Sequence, residues 1–422
     1  MKLFKKPIFV SISPNAEGDD VFLALKLICK PWTWKKGEAP KKLAGKVKNF
    51  LGVKNIFLFE SGRTSLYAIL LALHLDPKDE VLAQAFTCTA AVNPVLWTGA
   101  TPIYVDIDDN FNMSASDLEK KITAKSRAVI IQHTFGYPAK LDELLAIAKK
   151  HKLIVIEDCA HALGATYKGK KVGIFGDAAI LSFGRYKIMS SVFGGAAVTN
   201  NPDIAKNIEA SIQKWDFPST FWIFQQLFHP ILLSVTKPLY NFFSVGKILV
   251  VLAKKLKLVS LSVYSEEKSG GKPPFGPAKM SQALARMGLH QFEKMERFNQ
   301  HRKELARFYG RNLTSNQKIT LNQIPQATEP VFLNFPIQME NAESTYKIIG
   351  AGRREGIYLE VWPAKKVIGP SGTNLKKLRY LPGSCPRAEN LALRSMVLPT
   401  NPNTTLADAA RVVKLVNDFL ST

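Results

Sequence analysis

A chain of 422 residues, 46% apolar and 22% charged, has the composition of a globular protein and excludes a disordered or collagen-like one. At this length two domains are expected, because single hydrophobic cores stop growing earlier. The net charge of +23 speaks to partners rather than fold; nucleic acid, an anionic membrane surface and a phosphorylated substrate all fit it. Four cysteines (Cys29, Cys88, Cys159, Cys385) share no metal-ligand or CxxC spacing and are too few for a disulfide scaffold. That points to a reduced, cytoplasmic protein without a metal centre.

In chain order, the opening MKLFKKPIFVSISPNAEGDD has basic residues but only a short apolar run before its acidic turn, so no cleaved signal peptide is expected. From about residue 55 to 200, short β-branched runs alternate with helical patterns. NIFLF (55–59), EVLAQ (80–84), PIYVDI (102–107), AVIIQ (128–132), LIVIE (153–157), AILSF (179–183) and AAVTN (196–200) read as strands. RTSLYAILLALHL (63–75), SASDLEKKI (114–122) and AKLDELLAIAKKH (139–151) read as helices between them. The last sets Leu141, Leu144, Leu145 and Ile147 on one face and its lysines at the end, where the helix dipole favours cations. This alternation predicts an α/β fold with a mainly parallel sheet flanked by helices, whose ligands sit beyond the carboxyl ends of the strands.

Residues 217–265 break the rhythm. The stretch holds five lysines and no Asp or Glu, is rich in aromatics, and is expected to be split into short segments by Pro230 and Pro238. No uninterrupted apolar run in it approaches the ~20 residues a spanning helix needs. SGGKPPFGP (269–277) reads as a linker. The remainder opens with a helix from Met280, continues through strand-like VFLNFPI and closes on LADAARVVKLVNDFL. The expected division is a large domain, 1–268, carrying the insert 217–265, and a smaller α/β domain, 280–422.

The chemistry-bearing residues lie at strand ends. Lys187, in the loop after AILSF, is a candidate Schiff-base lysine: a partly desolvated amine condenses with an aldehyde cofactor and shuttles protons. Asp158, ending LIVIED, suits either of two roles, a partner for the pyridinium nitrogen of that cofactor or a helix N-cap. His161 is a contact for the cofactor's ring or hydroxyl, or a structural histidine. Ser182 is a phosphate donor or the start of a turn. SGRTSL (61–66) lies between a strand and a helix, where Gly62, Arg63 and Thr64 could cradle a phosphate. Phe86 and Cys88 follow the second strand and either face the cofactor or belong to the core.

Together, SGRTSL, DEVLAQAFTCTAAVNPVLWTGATPIYVDID and IEDCAHALGATYKGKKVGIFGDAAILSFGRYK…GG resemble the DegT/StrS family of pyridoxal-phosphate-dependent sugar aminotransferases, of the fold-type I architecture. The resemblance runs from about residue 40 to 205 and more weakly from 275 to 420. It implies pyridoxal 5'-phosphate as cofactor, with Lys187 as the lysine joined to it and Asp158 as partner of its ring nitrogen. It also implies His161 beside its hydroxyl, and Ser182 with Gly62, Arg63 and Thr64 at its phosphate. It further implies a homodimer that passes an amino group from glutamate or a similar donor to a keto-sugar, with a nucleotide-linked one expected. Two departures stand out. Cys88 replaces a frequent ring-stacking aromatic, and Pro277, Ala278, Lys279 and Met280 replace an Asn-Tyr-Arg-Met stretch that crosses the dimer.

A competing reading takes the chain as a non-catalytic protein of this fold that binds a membrane surface or nucleic acid, though no specific nucleic acid is expected. The intact lysine, aspartate and serine set argues against it. The insert 217–265 fits either a peripheral contact at the inner membrane face or an additional helical subdomain or dimer contact.

Overall fold

A computed structural model describes residues 6–12 and 15–421. The first five residues of the stretch read as lacking a signal lie outside the described residues.

The seven apolar runs form one sheet: β1 (Asn55–Phe59), β2 (Glu80–Gln84), β3 (Thr101–Val105), β4 (Ser126–Gln132), β5 (Ile154–Asp158), β6 (Ala178–Ser182) and β7 (Gly195–Thr199). Their spatial order is β1-β7-β6-β5-β4-β2-β3, with only β7 antiparallel to its neighbours. Strands read as continuous apolar runs because helices cover both faces; Val129, Ile131 and Leu181 serve one core, Ile130, Ile156 and Ile180 another. Parallel strands place their carboxyl ends along one edge. β7, running the other way, starts at that edge, so Gly195 lies opposite both Phe59 and Ser182.

The helix α1 (Gly62–Ala72) begins immediately beyond β1. A Cβ at Gly195 would stand 2.5 Å from the Gly62 nitrogen, and one at Gly62 2.9 Å from the Ser182 Cβ. Two glycines therefore let β1, β6 and β7 close on the start of this helix.

The C-terminal part builds a second, antiparallel sheet in the order Ile319–Leu321, Phe335–Met339, Ser395–Leu398, Glu360–Val361, with helices Ala342–Arg354, Pro386–Arg394 and Leu406–Leu420. The strand expected over VFLNFPI starts only at Phe335. The 31-residue helix Gln282–Asn312 joins the two parts: Ala283, Leu284, Met287 and Met295 sit in the large core, Leu305, Ala306 and Tyr309 in the other.

Residues 217–265 form two helices, α2 (Thr220–Thr236) and α3 (Val245–Lys255). Pro230 does not split the first. Burial of Trp222, Ile223, Leu227 and Leu233 offsets the hydrogen bond that proline removes. Nor is 269–277 a free linker, since Phe275 packs on Trp222 at 4.9 Å and Phe193 at 5.6 Å. Among the described residues no helix is long and apolar enough to cross a membrane.

Gly195→Ala should cost about 1–3 kcal/mol, because its methyl meets backbone rather than a movable side chain; the fall in thermal midpoint measures it.

Candidate active site

β5 carries two carboxylates that alternate across the sheet. Glu157 accepts the N–H groups of Gly173 (2.8 Å), Phe175 (2.7 Å) and Gly176 (2.9 Å) and pairs with His133 Nε2 at 3.1 Å. It is an internal anchor. Asp158 faces the other way, buried, with one oxygen taking the Ala160 N–H at 2.9 Å. The chain beyond it turns without forming a helix, so Asp158 is no helix N-cap. Burial pushes its carboxyl up, opposed by that N–H and by the nearby charges of Lys187 and His133.

Lys187 lies in the loop after β6. Burial lowers its pKa and the Arg63 charge adds to this, while Cys88 and Asp158 act against them. Asp158, Cys88 and Arg63, three of the side chains singled out in the sequence, thus lie near enough to act on this amine. Its loop is held by the main chain: Asn15 Nδ2 donates to the Lys187 and Ile188 carbonyls at 2.8 and 2.9 Å. Arg302, fully buried, donates to Asn15 Oδ1 at 2.7 Å and to the Ile188 carbonyl at 3.3 Å. Burial lowers this guanidinium to about 9.

His161 sits in the turn after Asp158, where its Nδ1 accepts the Phe135 N–H at 3.3 Å. Burial and the Lys187 charge hold it well below its usual pKa, so the ring is neutral with its proton on Nε2. Its ring centroid lies 5.3 Å from that of Trp362, which the C-terminal part contributes. Cys88 is half-buried and its backbone pairs with Gly369. Phe86 is wholly buried against Phe111 and Trp362, a core residue.

At the start of α1, Ser61 caps the Thr64 N–H at 3.3 Å, which leaves the Gly62 and Arg63 N–H groups without partners inside the helix. Ser182 lies beside Gly62. The Arg63 side chain pairs with Glu267 and donates to the Ser262 carbonyl at 2.7 Å. Beneath this helix start, buried Glu60 accepts from the Thr64 hydroxyl, from Ser61 Oγ at 3.2 Å and from the Ala278 N–H at 3.1 Å. Burial outweighs these bonds and raises Glu60 to about 7. The insert backs the same region. Arg185, two residues before Lys187, donates to Ser260 Oγ (2.7 Å), the Ser260 carbonyl (2.9 Å) and Gln226 Oε1 (3.1 Å).

With this geometry in place, comparison with known proteins is decisive. A profile of the DegT/DnrJ/EryC1/StrS aminotransferase family matches residues 16–215 and 251–417. The chain belongs to that family. It is 38% identical over 189 residues to a GDP-perosamine synthase of Escherichia coli O157:H7, covering 44% of this chain and 52% of that one. A second GDP-perosamine synthase, from Caulobacter vibrioides, is 36% identical over 46% of this chain and likewise 52% of its own. The chain thus spans about half the length of these curated relatives. Over 95% of this chain and 94% of the other it is 27% identical to a UDP-N-acetyl-3-dehydro-alpha-D-glucosamine 3-aminotransferase of Acidithiobacillus ferrooxidans. Among solved structures, Helicobacter pylori PseC, an aminotransferase involved in pseudaminic acid biosynthesis, superposes with a TM-score of 0.76 at 20% identity over 99% of this chain and 100% of that one. That likeness confirms the fold-type I architecture.

Sequence reading missed Glu60, Asn15, Arg302, Trp362 and Arg185. Only Glu60 carried a local signal, standing one residue before the SGRTSL turn.

Glu60, raised from 4.5 to about 7, favours the fold fully below pH 4.5 and loses that contribution as pH rises through 7. Glu60→Gln should therefore gain on the wild type between about pH 5 and 8 by roughly 3 kcal/mol; urea midpoints that keep a constant gap across this range refute it. Asn15→Ala orphans the Lys187 carbonyl and one Arg302 donor and leaves the Ile188 carbonyl to Arg302 alone, at a cost of about 2 kcal/mol, read as a lower denaturant midpoint at unchanged slope.

Proposed function

We propose that the protein is a pyridoxal-phosphate-dependent aminotransferase acting on a keto-sugar, with glutamate or a similar amino acid as donor. The observation that carries this is the convergence of a desolvated amine, Lys187, and a buried carboxylate, Asp158, at adjacent strand ends. The donor set suits the cofactor. Asp158 is a buried acid beside a cation, His161 offers a neutral Nε2–H, and the start of α1 offers backbone N–H groups with Ser182 alongside. Arg63 gives this corner positive charge while its side-chain donors stay on Glu267 and Ser262.

When bound, pyridoxal phosphate supplies an aldehyde that takes up the amino group and a pyridinium ring that accepts electrons. The chain supplies the rest. Lys187 Nζ, with its pKa lowered, is available as a neutral amine to bond the cofactor and afterwards to carry a proton at the reacting carbon. Asp158 would pair with the ring nitrogen and keep it protonated, and its own burial favours a proton shared there. His161 Nε2 would donate to the ring hydroxyl. Trp362 and Phe135 shield His161 from water. Cys88 borders the amine without an aromatic face, so ring stacking is left to other groups.

The relatives support the substrate class: those named above carry GDP- and UDP-linked sugars in their names. We assign a nucleotide-linked 3- or 4-keto-hexose as acceptor, serving amino-sugar and surface-glycan biosynthesis. The net charge of +23 suits a diphosphate. A homodimer belongs to the same proposal, with Lys279 as a candidate for reaching the partner's site, and so does the division into 1–268 and 280–422 about the cleft.

Borohydride reduction of the cofactor-loaded protein should fix the label on Lys187. Labelling elsewhere, or transfer of the amino group by Lys187→Ala at the wild-type rate, would overturn the assignment. Asp158→Asn should keep the fold while lowering kcat at least 100-fold, measured with glutamate and a panel of nucleotide-linked keto-sugars.

A further inference from the structure

The strip 217–265 has an inner and an outer side. Its inner side serves the site through Gln226, Ser260 and Ser262. Its outer side has no role in the proposed chemistry. The helix α3 seats itself on the protein through Gly246 and Ala253, which are buried. At ~100° per residue these two fall on one side of the helix, and Val251, Ile248, Leu252 and Leu256 span a sector of ~140° on the other. Those four are between 48% and 61% exposed, and Phe243, just before the helix, is 70% exposed. A surface helix ordinarily turns such residues inward. Here they face out as a contiguous apolar strip, which folded chains rarely leave to water.

The charges around the strip select its occupant. Lys247 and Lys254 stand on one margin, Lys255 projects within the sector and Lys257 follows, all exposed. No Asp or Glu occurs between Asp216 and Glu266. Apolar side chains that sink to the acyl boundary, with long lysine stems reaching up to headgroup level, are the chemistry of an interfacial helix. Nucleic acid would engage the lysines but has no use for Ile, Val and Leu turned outward. A second copy meeting this face about a two-fold axis would set the lysines of both chains together with no carboxylate in either strip to pair them. The helix Gly18–Ile28, which packs on α2, also exposes Phe22 and Leu25, with Lys26 Nζ 4.2 Å over the Phe22 ring, but its first turn carries Asp19 and Asp20.

We propose that the outer face of α3, with Phe243 and Leu256, docks the protein peripherally on an anionic lipid bilayer, as at the inner face of a membrane. This reading stands independently of the substrate and of the cofactor.

The test is flotation of the full-length, cofactor-loaded protein with vesicles of phosphatidylcholine, alone or mixed with phosphatidylglycerol. Wild type should float with the mixed vesicles only and be released by added salt. Replacing Lys247, Lys254 and Lys255 by Gln should weaken binding about 100-fold, at roughly fivefold per lysine. Ile248→Ser, Val251→Ser and Leu252→Ser together should abolish flotation while leaving the cofactor absorbance and thermal midpoint unchanged. Equal partition of wild type onto both vesicle types, or undiminished flotation of the serine variant, overturns the proposal. So does a serine variant that sediments as a smaller species than wild type, which would make this face a contact between copies. An RNA that binds wild type and serine variant alike, in the absence of flotation, overturns it too.

Discussion

A buried guanidinium that, among the described residues, pairs with no carboxylate holds the Lys187 loop in place. Arg302 donates to Asn15, Asn299 and the Ile188 carbonyl, and Asn15 in turn binds the carbonyls of Lys187 and Ile188. A charge so deeply buried needs every acceptor it has. If the loop moved, the Lys187 and Ile188 carbonyls would lose their buried donors on Asn15 and Arg302 at once, at a cost of several kcal/mol. The Lys187 side chain can therefore reorient on a main chain that does not. Because Arg302 lies on the helix Gln282–Asn312, which belongs to both cores, the same clamp ties the loop to the arrangement of the two parts.

Three buried acids at this edge of the sheet differ only in what surrounds them, and that decides what each can do. Glu157 is saturated by three backbone N–H groups and a histidine and is spent on structure. Asp158 takes a single N–H and looks toward a lysine, so it retains capacity for a proton shared with a ligand. Glu60 takes the Ser61 and Thr64 hydroxyls and the Ala278 N–H, and burial outweighs these bonds and raises its carboxyl to about 7.

The sheet was legible because its strands are buried on both faces and read as apolar runs; all seven fall within two residues of where the runs placed them. Lys187, Asp158, His161 and Ser182 were legible because ligands of such sheets lie past the carboxyl ends of strands, and strand ends are local features. Asn15 and Arg302 were not, since they act on carbonyls 172 and 114 residues away, and periodicity carries nothing at that range. Trp362 escaped for the same reason. Pro230 misled because a local rule about proline yielded to the apolar burial of the helix around it.

The match to the family profile stops at residue 215 and resumes at 251, so residues 217–250 of the strip lie outside it, whereas 251–265, expected to belong to the insert, lie within it. It is nevertheless no appendage. Gln226 and Ser260 accept from a buried Arg185 two residues from Lys187, and Ser262, with Glu267, accepts from Arg63 at the start of α1. Deleting the strip would take from buried Arg185 its Ser260 and Gln226 acceptors and from Arg63 the Ser262 carbonyl, leaving Arg63 only Glu267. Inner and outer roles are separable only by point substitution, because they rest on different sides of the same elements. A segment fastened this firmly beside the Lys187 loop keeps whatever binds its outer face in fixed register with that loop.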